Sequence, residues 1–366
     1  MKFRTEYLPV PSPFKLSPLQ PVVMLGSCFS DNMLRRMRES LWNVVNPCGT
    51  LYNPLSIAFS LRTMLEIEGG EGGEQDEGEK KEKHGGQEDI TKREKGADRT
   101  LKESLFRDSE GKVRSFLGDF RFVGNDEKEV LNKWRSASKV LQDTLNDAKA
   151  LFITFGTAIC YSLLSDNTPL STARSREETM ASTVANCHKL PAARFERFRL
   201  SEEEIVAEWS DLCEELHLRY PGLEIVFTVS PVRHLKDGFV GNMRSKAILL
   251  LAVERLCDEL PYCSYFPAYE ILNDDLRDYR FYDADLVHPS AQAVDYIRDI
   301  FCATYLDPSA MELLKKGEKI RKALLHRPLT STPAEMGAWH DKVIHDYHEF
   351  LKLNPKALPI EMISSC

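Results

Sequence analysis

Apolar residues gather into short continuous runs, separated by longer segments in which they recur at helical spacing. The runs are Val22-Val23-Met24-Leu25, Trp42-Asn43-Val44-Val45, Ala150-Leu151-Phe152-Ile153-Thr154-Phe155, Glu224-Ile225-Val226-Phe227-Thr228-Val229 and the stretch 262–266. They do not alternate polar with apolar, which is the pattern of strands buried on both faces. Between them, Met33, Leu34 and Met37 share a helical face, as do Val130, Leu131, Trp134, Val140, Leu141 and Leu145. Further helices are predicted over 55–66, 202–219, 247–260 and 291–305. Strand and helix alternate, so the sheet is expected to be parallel, with right-handed crossovers. This predicts an α/β fold of three layers, flavodoxin-like, with a five-stranded parallel sheet in the order 2-1-3-4-5.

Three segments depart from that rhythm. Leu105-Phe106-Arg107 and Val113-Arg114-Ser115-Phe116, joined by Asp108-Ser109-Glu110-Gly111-Lys112, read as an added β-hairpin. Residues 67–100 are dominated by Gly, Glu and Lys and have almost no apolar residues whose burial could offset their ordering entropy, so a disordered surface insertion is predicted. From Pro308 onward two helices follow, broken at Arg327-Pro328. Trp339, Tyr347 and Phe350 point to packing on the main domain or on a partner. The expected organisation is a domain over 1–307 and a helical extension over 308–366.

Composition narrows the function classes. The net charge of -8 and the lack of a Lys/Arg cluster weigh against a nucleic-acid partner. Mean hydropathy is -0.35, and no apolar run approaches the ~20 residues of a membrane span. The segment Met1-Lys2-Phe3-Arg4-Thr5-Glu6 lacks the apolar core of a signal peptide, so a cytoplasmic location is expected. Nine cysteines without a Cys-x-x-Cys pair are expected to be free thiols rather than disulfides or zinc ligands. His326, His340, His345 and His348 lack acidic or cysteine partners in pattern and read as solvated or packed. No metal or cofactor is expected.

Two polar clusters stand out against this background. Gly26-Ser27-Cys28-Phe29-Ser30 falls where the first strand gives way to the first helix, and unpaired helix N-H groups there favour any oxyanion that forms. Ser27 or Ser30 either caps that helix or serves chemistry. Asp285-Leu286-Val287-His288 places an acid three residues before an imidazole, where a turn lets the carboxylate orient the ring. Alternatively Asp285 caps the last helix and His288 packs before Pro289.

Gly26-Ser27-Cys28-Phe29, followed by Asn46-Pro47-Cys48-Gly49-Thr50-Leu51-Tyr52-Asn53-Pro54, resembles the GSCFA family, a branch of the SGNH/GDSL-like hydrolases. Phe155-Gly156-Thr157-Ala158, Asn186-Cys187-His188-Lys189, Ser230-Pro231-Val232-Arg233-His234 and Asp285 to His288 fall in the family's order, with Ser30 where the family name has Ala. The resemblance implies an acyl-serine mechanism on an SGNH-type fold: Ser27 attacks, His288 moves the proton, and Asp285 orients the ring. It also implies oxyanion donors at the Ser27 and Gly49 amides. The superfamily's third-block Asn is replaced here, and Thr157 is the candidate donor in its stead; the same hydroxyl could instead cap a helix. Asn186, His188, Arg233 and His234 are expected on the substrate-binding rim. The implied activity is that of an esterase removing a small O-acyl group from a sugar or other polar alcohol. An O-acyltransferase with the same triad and a non-catalytic binding module are the alternatives.

Overall fold

The computed structural model describes residues 4–66, 99–164, 174–326 and 333–363. Most of the expected insertion and the break at Arg327-Pro328 lie outside the described residues. In chain order the strands are β1 (Val22–Gly26), β2 (Val44–Val45), β3 (Leu105–Arg107), β4 (Val113–Ser115), β5 (Val123–Gly124), β6 (Ala150–Phe155), β7 (Ile159–Leu163), β8 (Phe195–Arg199), β9 (Glu224–Val229) and β10 (Cys263–Tyr265). The principal helices are α1 (Cys28–Arg38), α2 (Pro54–Leu65), α3 (Glu127–Asp147), α4 (Glu202–Arg219), α5 (Gly238–Glu259), α6 (Ala291–Tyr305), α7 (Pro308–Leu325) and α8 (Pro333–Leu353).

The central sheet has five parallel strands in the order β10-β9-β6-β1-β2. Counted among these five, that is the expected 2-1-3-4-5. Successive side chains of a strand face opposite sides. Val23 and Leu25 of β1 therefore join one core with α2, α3, α4 and α5, while Val22 and Met24 join another with α1 and α6. Helices thus cover both faces of the sheet, as its continuous apolar strands require.

The expected hairpin is present as β3 and β4, extended by β5 into a three-stranded antiparallel sheet. A second antiparallel pair, β7 with β8, was not legible beforehand. It follows β6 directly, so Thr157 precedes a strand and caps no helix.

The tail helices form a smaller core around Leu41, just beyond α1, with Ile320, Tyr347, Phe350 and Ala357. Gly317 permits the close approach: a Cβ there would lie 2.1 Å from the Ser40 carbonyl oxygen.

Candidate active site

β1 ends at Gly26, whose φ of +122° and whose ideal Cβ position 2.1 Å from the Thr154 carbonyl oxygen admit only glycine. The chain then turns abruptly into α1. Ser27 is the N-cap residue, but its side chain makes no capping hydrogen bond. It is 1 % exposed, and its Oγ has no partner among the described residues. Cys28, the first helical residue, is half-buried, and the N-H groups of Cys28 and Phe29 lie at its thiol. Burial pushes that thiol up, as does Asp31, while the two amides and Lys246 oppose the shift.

A short turn brings the acid and the imidazole together. Asp285 Oδ1 accepts the Val287 and His288 N-H groups at 2.9 and 3.0 Å, and Oδ2 lies 2.6 Å from His288 Nδ1. Leu286 adopts φ +59° to make this possible. The His288 amide and ring, then the Val287 amide, hold the Asp285 carboxyl down at about 2. An ionised carboxylate only accepts, so Nδ1 donates and Nε2 is left to take a proton. Capping of α6 falls to Ser290, whose Oγ accepts from the Ala293 N-H at 3.3 Å.

Two cavities meet at this point. One, of about 390 Å³, is walled by Tyr52, Ile159, Tyr161, Val184, Val232 and Val287, with Asn53, Thr157, Asn186, Arg233 and His234 among its polar groups. The other, of about 590 Å³, is lined by Asp31, Asn32, Arg35, Arg36, Glu39 and Asp283. Cys28 and His288 border both, and Ser27 borders neither.

The expected oxyanion groups are engaged within the fold. The Ser27 N-H donates to the Thr154 carbonyl at 3.3 Å, and the Gly49 N-H donates to Asn46 Oδ1 at 3.1 Å. Thr157 Oγ1 accepts the Ile159 N-H and pairs with Ser245 Oγ at 3.0 Å. The Gly156 and Thr157 N-H groups both donate to the Tyr52 carbonyl.

Of the expected rim residues, Asn186, Arg233 and His234 line the smaller cavity. Arg233 stacks its guanidinium over Tyr279 and Tyr282, with ring centroids 5.4 and 4.8 Å away. Asp237, close by in sequence, pairs with Arg197 and not with Arg233. His188 lies elsewhere: its Nε2 contacts the Ser115 carbonyl at 2.8 Å, and its ring packs beside Phe106 and Phe116.

Lys246 escaped the sequence reading. It is fully buried on α5, and its Nζ donates at 2.6 Å to both the Gly156 and Ser230 carbonyls, at the carboxyl ends of the two central strands. Burial pushes its ammonium down to about 7, against the charge of the nearby Cys28 thiolate form. On the same face, Ser245 Oγ accepts the Ala158 N-H at 2.7 Å and Asn242 Oδ1 accepts the His234 N-H at 3.0 Å. Burial and Lys246 push His234 down to about 4.

The GSCFA family model matches residues 21–301. The chain belongs to the GSCFA family. No curated protein matches it. The GSCFA match runs from β1 into α6, so both cavities and the Asp285–His288 pair lie inside it while the tail core lies mostly outside. No group of His, Cys, Asp and Glu among the described residues has the arrangement of a metal site, and no described helix is long and apolar enough to cross a membrane.

Proposed function

We propose that this GSCFA chain is an ester hydrolase of the SGNH kind, working by transfer of the acyl group to a side chain at the Gly26–α1 junction. His288 takes the nucleophile's proton through Nε2 and returns it to the leaving alcohol, and Asp285 fixes the tautomer. The observation that carries this reading is the 2.6 Å Asp285–His288 contact on a ring that borders both cavities in front of the α1 N-terminus. The larger cavity, with its charged and amide groups, suits a polar alcohol such as a sugar. The smaller one suits the acyl portion, with Arg233 available to a carbonyl or an anionic substituent.

A second reading keeps the same covalent intermediate and replaces water by a second alcohol, making the chain an O-acyltransferase. The volume of the polar cavity favours it, since an acceptor could occupy that space after the first alcohol leaves.

The test is a screen of short acyl esters and acetylated sugars, with and without an added acceptor alcohol, using His288→Ala as the blank. Turnover that falls by about 10²–10⁴-fold in that variant supports the reading. Equal rates with and without the imidazole would refute it.

A further inference from the structure

We infer that the attacking atom is the Cys28 thiol and that Ser27 holds the turn; this rests on the acyl-transfer reading above. Two cavities flank the site, and a group that transfers an acyl unit from one partner to another must touch both. Cys28 and His288 are the two residues that border both. Ser27 is 1 % exposed and borders neither, and its hydroxyl reaches no partner, His288 included, among the described residues. One residue of helical rotation separates the two side chains and decides which of them meets a substrate.

The surroundings of Cys28 suit the chemistry. As the first residue of α1 it sits at the positive end of the helix dipole, with the Cys28 and Phe29 N-H groups at its sulfur. Those amides can also receive the carbonyl oxygen of a substrate as negative charge develops there, a role closed to the Ser27 and Gly49 amides, which already donate to the Thr154 carbonyl and Asn46 Oδ1. Burial and Asp31 keep the thiol protonated at rest, so the site requires a base instead of a standing thiolate. The sulfur attacks the ester carbonyl carbon while its proton passes to His288 Nε2. The C–O bond to the alcohol then breaks, and the alkoxide leaves with that proton. The resulting thioester is cleaved by water, which gives one proton to His288 as the acyl carbon takes the hydroxyl. Collapse expels the Cys28 sulfur, which recovers the proton, and no redox partner is involved.

Acid-quenched incubation with p-nitrophenyl acetate and butyrate, followed by peptide mass mapping, locates the acyl group. The expected result is an adduct on Cys28 that neutral hydroxylamine removes, retained in Ser27→Ala and lost in Cys28→Ala, with turnover in the latter down on the order of 10³-fold or more. Both variants are checked for an unchanged cooperative melt. Independently of any ester, iodoacetamide should modify Cys28 faster than the half-buried Cys187, and this advantage should shrink in His288→Ala. An adduct on Ser27 that survives Cys28→Ala overturns this inference and leaves the acyl-transfer reading standing. Alkylation of Cys28 no faster than Cys187 also overturns it. The absence of both turnover and adduct overturns the reading and this inference together.

Discussion

At the scale of single residues, the contrast between Asp285 and Lys246 shows how the fold assigns charge. The Asp285 carboxyl is exposed yet held at about 2, because the His288 and Val287 amides and the His288 ring all donate to it. Its folded-state pKa is lowered, so the stability it contributes is present above the ordinary carboxylate value and is lost only as pH falls through about 2. It follows that Asp285 stays ionised throughout the working range. The pH–rate profile should show no carboxylate limb between about pH 3 and 6 that disappears in Asp285→Asn; finding such a limb would contradict the assignment. The same variant should lose less activity than His288→Ala, because the carboxylate orients the ring without carrying the proton. The Asp285–His288 pair was legible in sequence because a turn can join residues three apart. Which of Ser27 and Cys28 borders the cavities was not, since neighbouring positions in one motif differ only in the direction the new helix takes them.

At the scale of elements, α5 carries the support for the site, and its first turns were the part of it that sequence reading missed. The apolar pattern predicted a helix over 247–260, whereas the helix begins at Gly238. Asn242, Ser245 and Lys246 look like solvent-facing polar residues, yet they continue the buried stripe of Leu249, Ala252, Val253 and Leu256 at the same helical spacing. They are buried because they satisfy the backbone of the loops that leave β6 and β9. Lys246→Met should strip the Gly156 and Ser230 carbonyls of the ammonium's two hydrogen bonds, at about 1–3 kcal/mol each. It should also shift the cavity wall and lower kcat by about 10²-fold, with Lys246→Arg no better because the cavity fits a compact ammonium. The pH dependence has a definite sign. Burial lowers the folded-state value to about 7, so above that pH the folded lysine has released a proton that the unfolded chain still holds. The wild type should therefore gain stability relative to Lys246→Met as pH rises from about 7 toward 10. Denaturant midpoints of the two proteins across that range check it, and parallel curves would show that the two carbonyls keep the ammonium charged.

At the scale of the whole molecule, the strand order and both helical layers were readable because continuous apolar runs leave a parallel sheet little choice of topology. The extra pair β7 and β8 was not readable, since its short strands are half-polar and depend on each other for burial. The remaining question of architecture is whether the chain beyond Asp307 folds apart from the rest. Its packing argues that it does not. α1 presents Cys28 at its beginning and Leu41 just beyond its end, and Leu41 is 1 % exposed beneath Ile320, Tyr347 and Phe350. The Leu358 N-H donates to the Leu41 carbonyl at 2.8 Å, and Lys356 pairs with Asp147 of α3 at 2.7 Å. The tail thus clamps the far end of the helix whose near end forms the site. Phe350→Ala should cost about 3–5 kcal/mol, lowering the single melting transition by on the order of 10 °C. Truncation after Asp307 should lower that same transition further, because it strips the cover from Leu41 as well as removing the tail's own contacts. Calorimetry distinguishes the alternatives. A tail that folded separately would give two transitions, and its removal would leave the main one, and ester turnover, where they were.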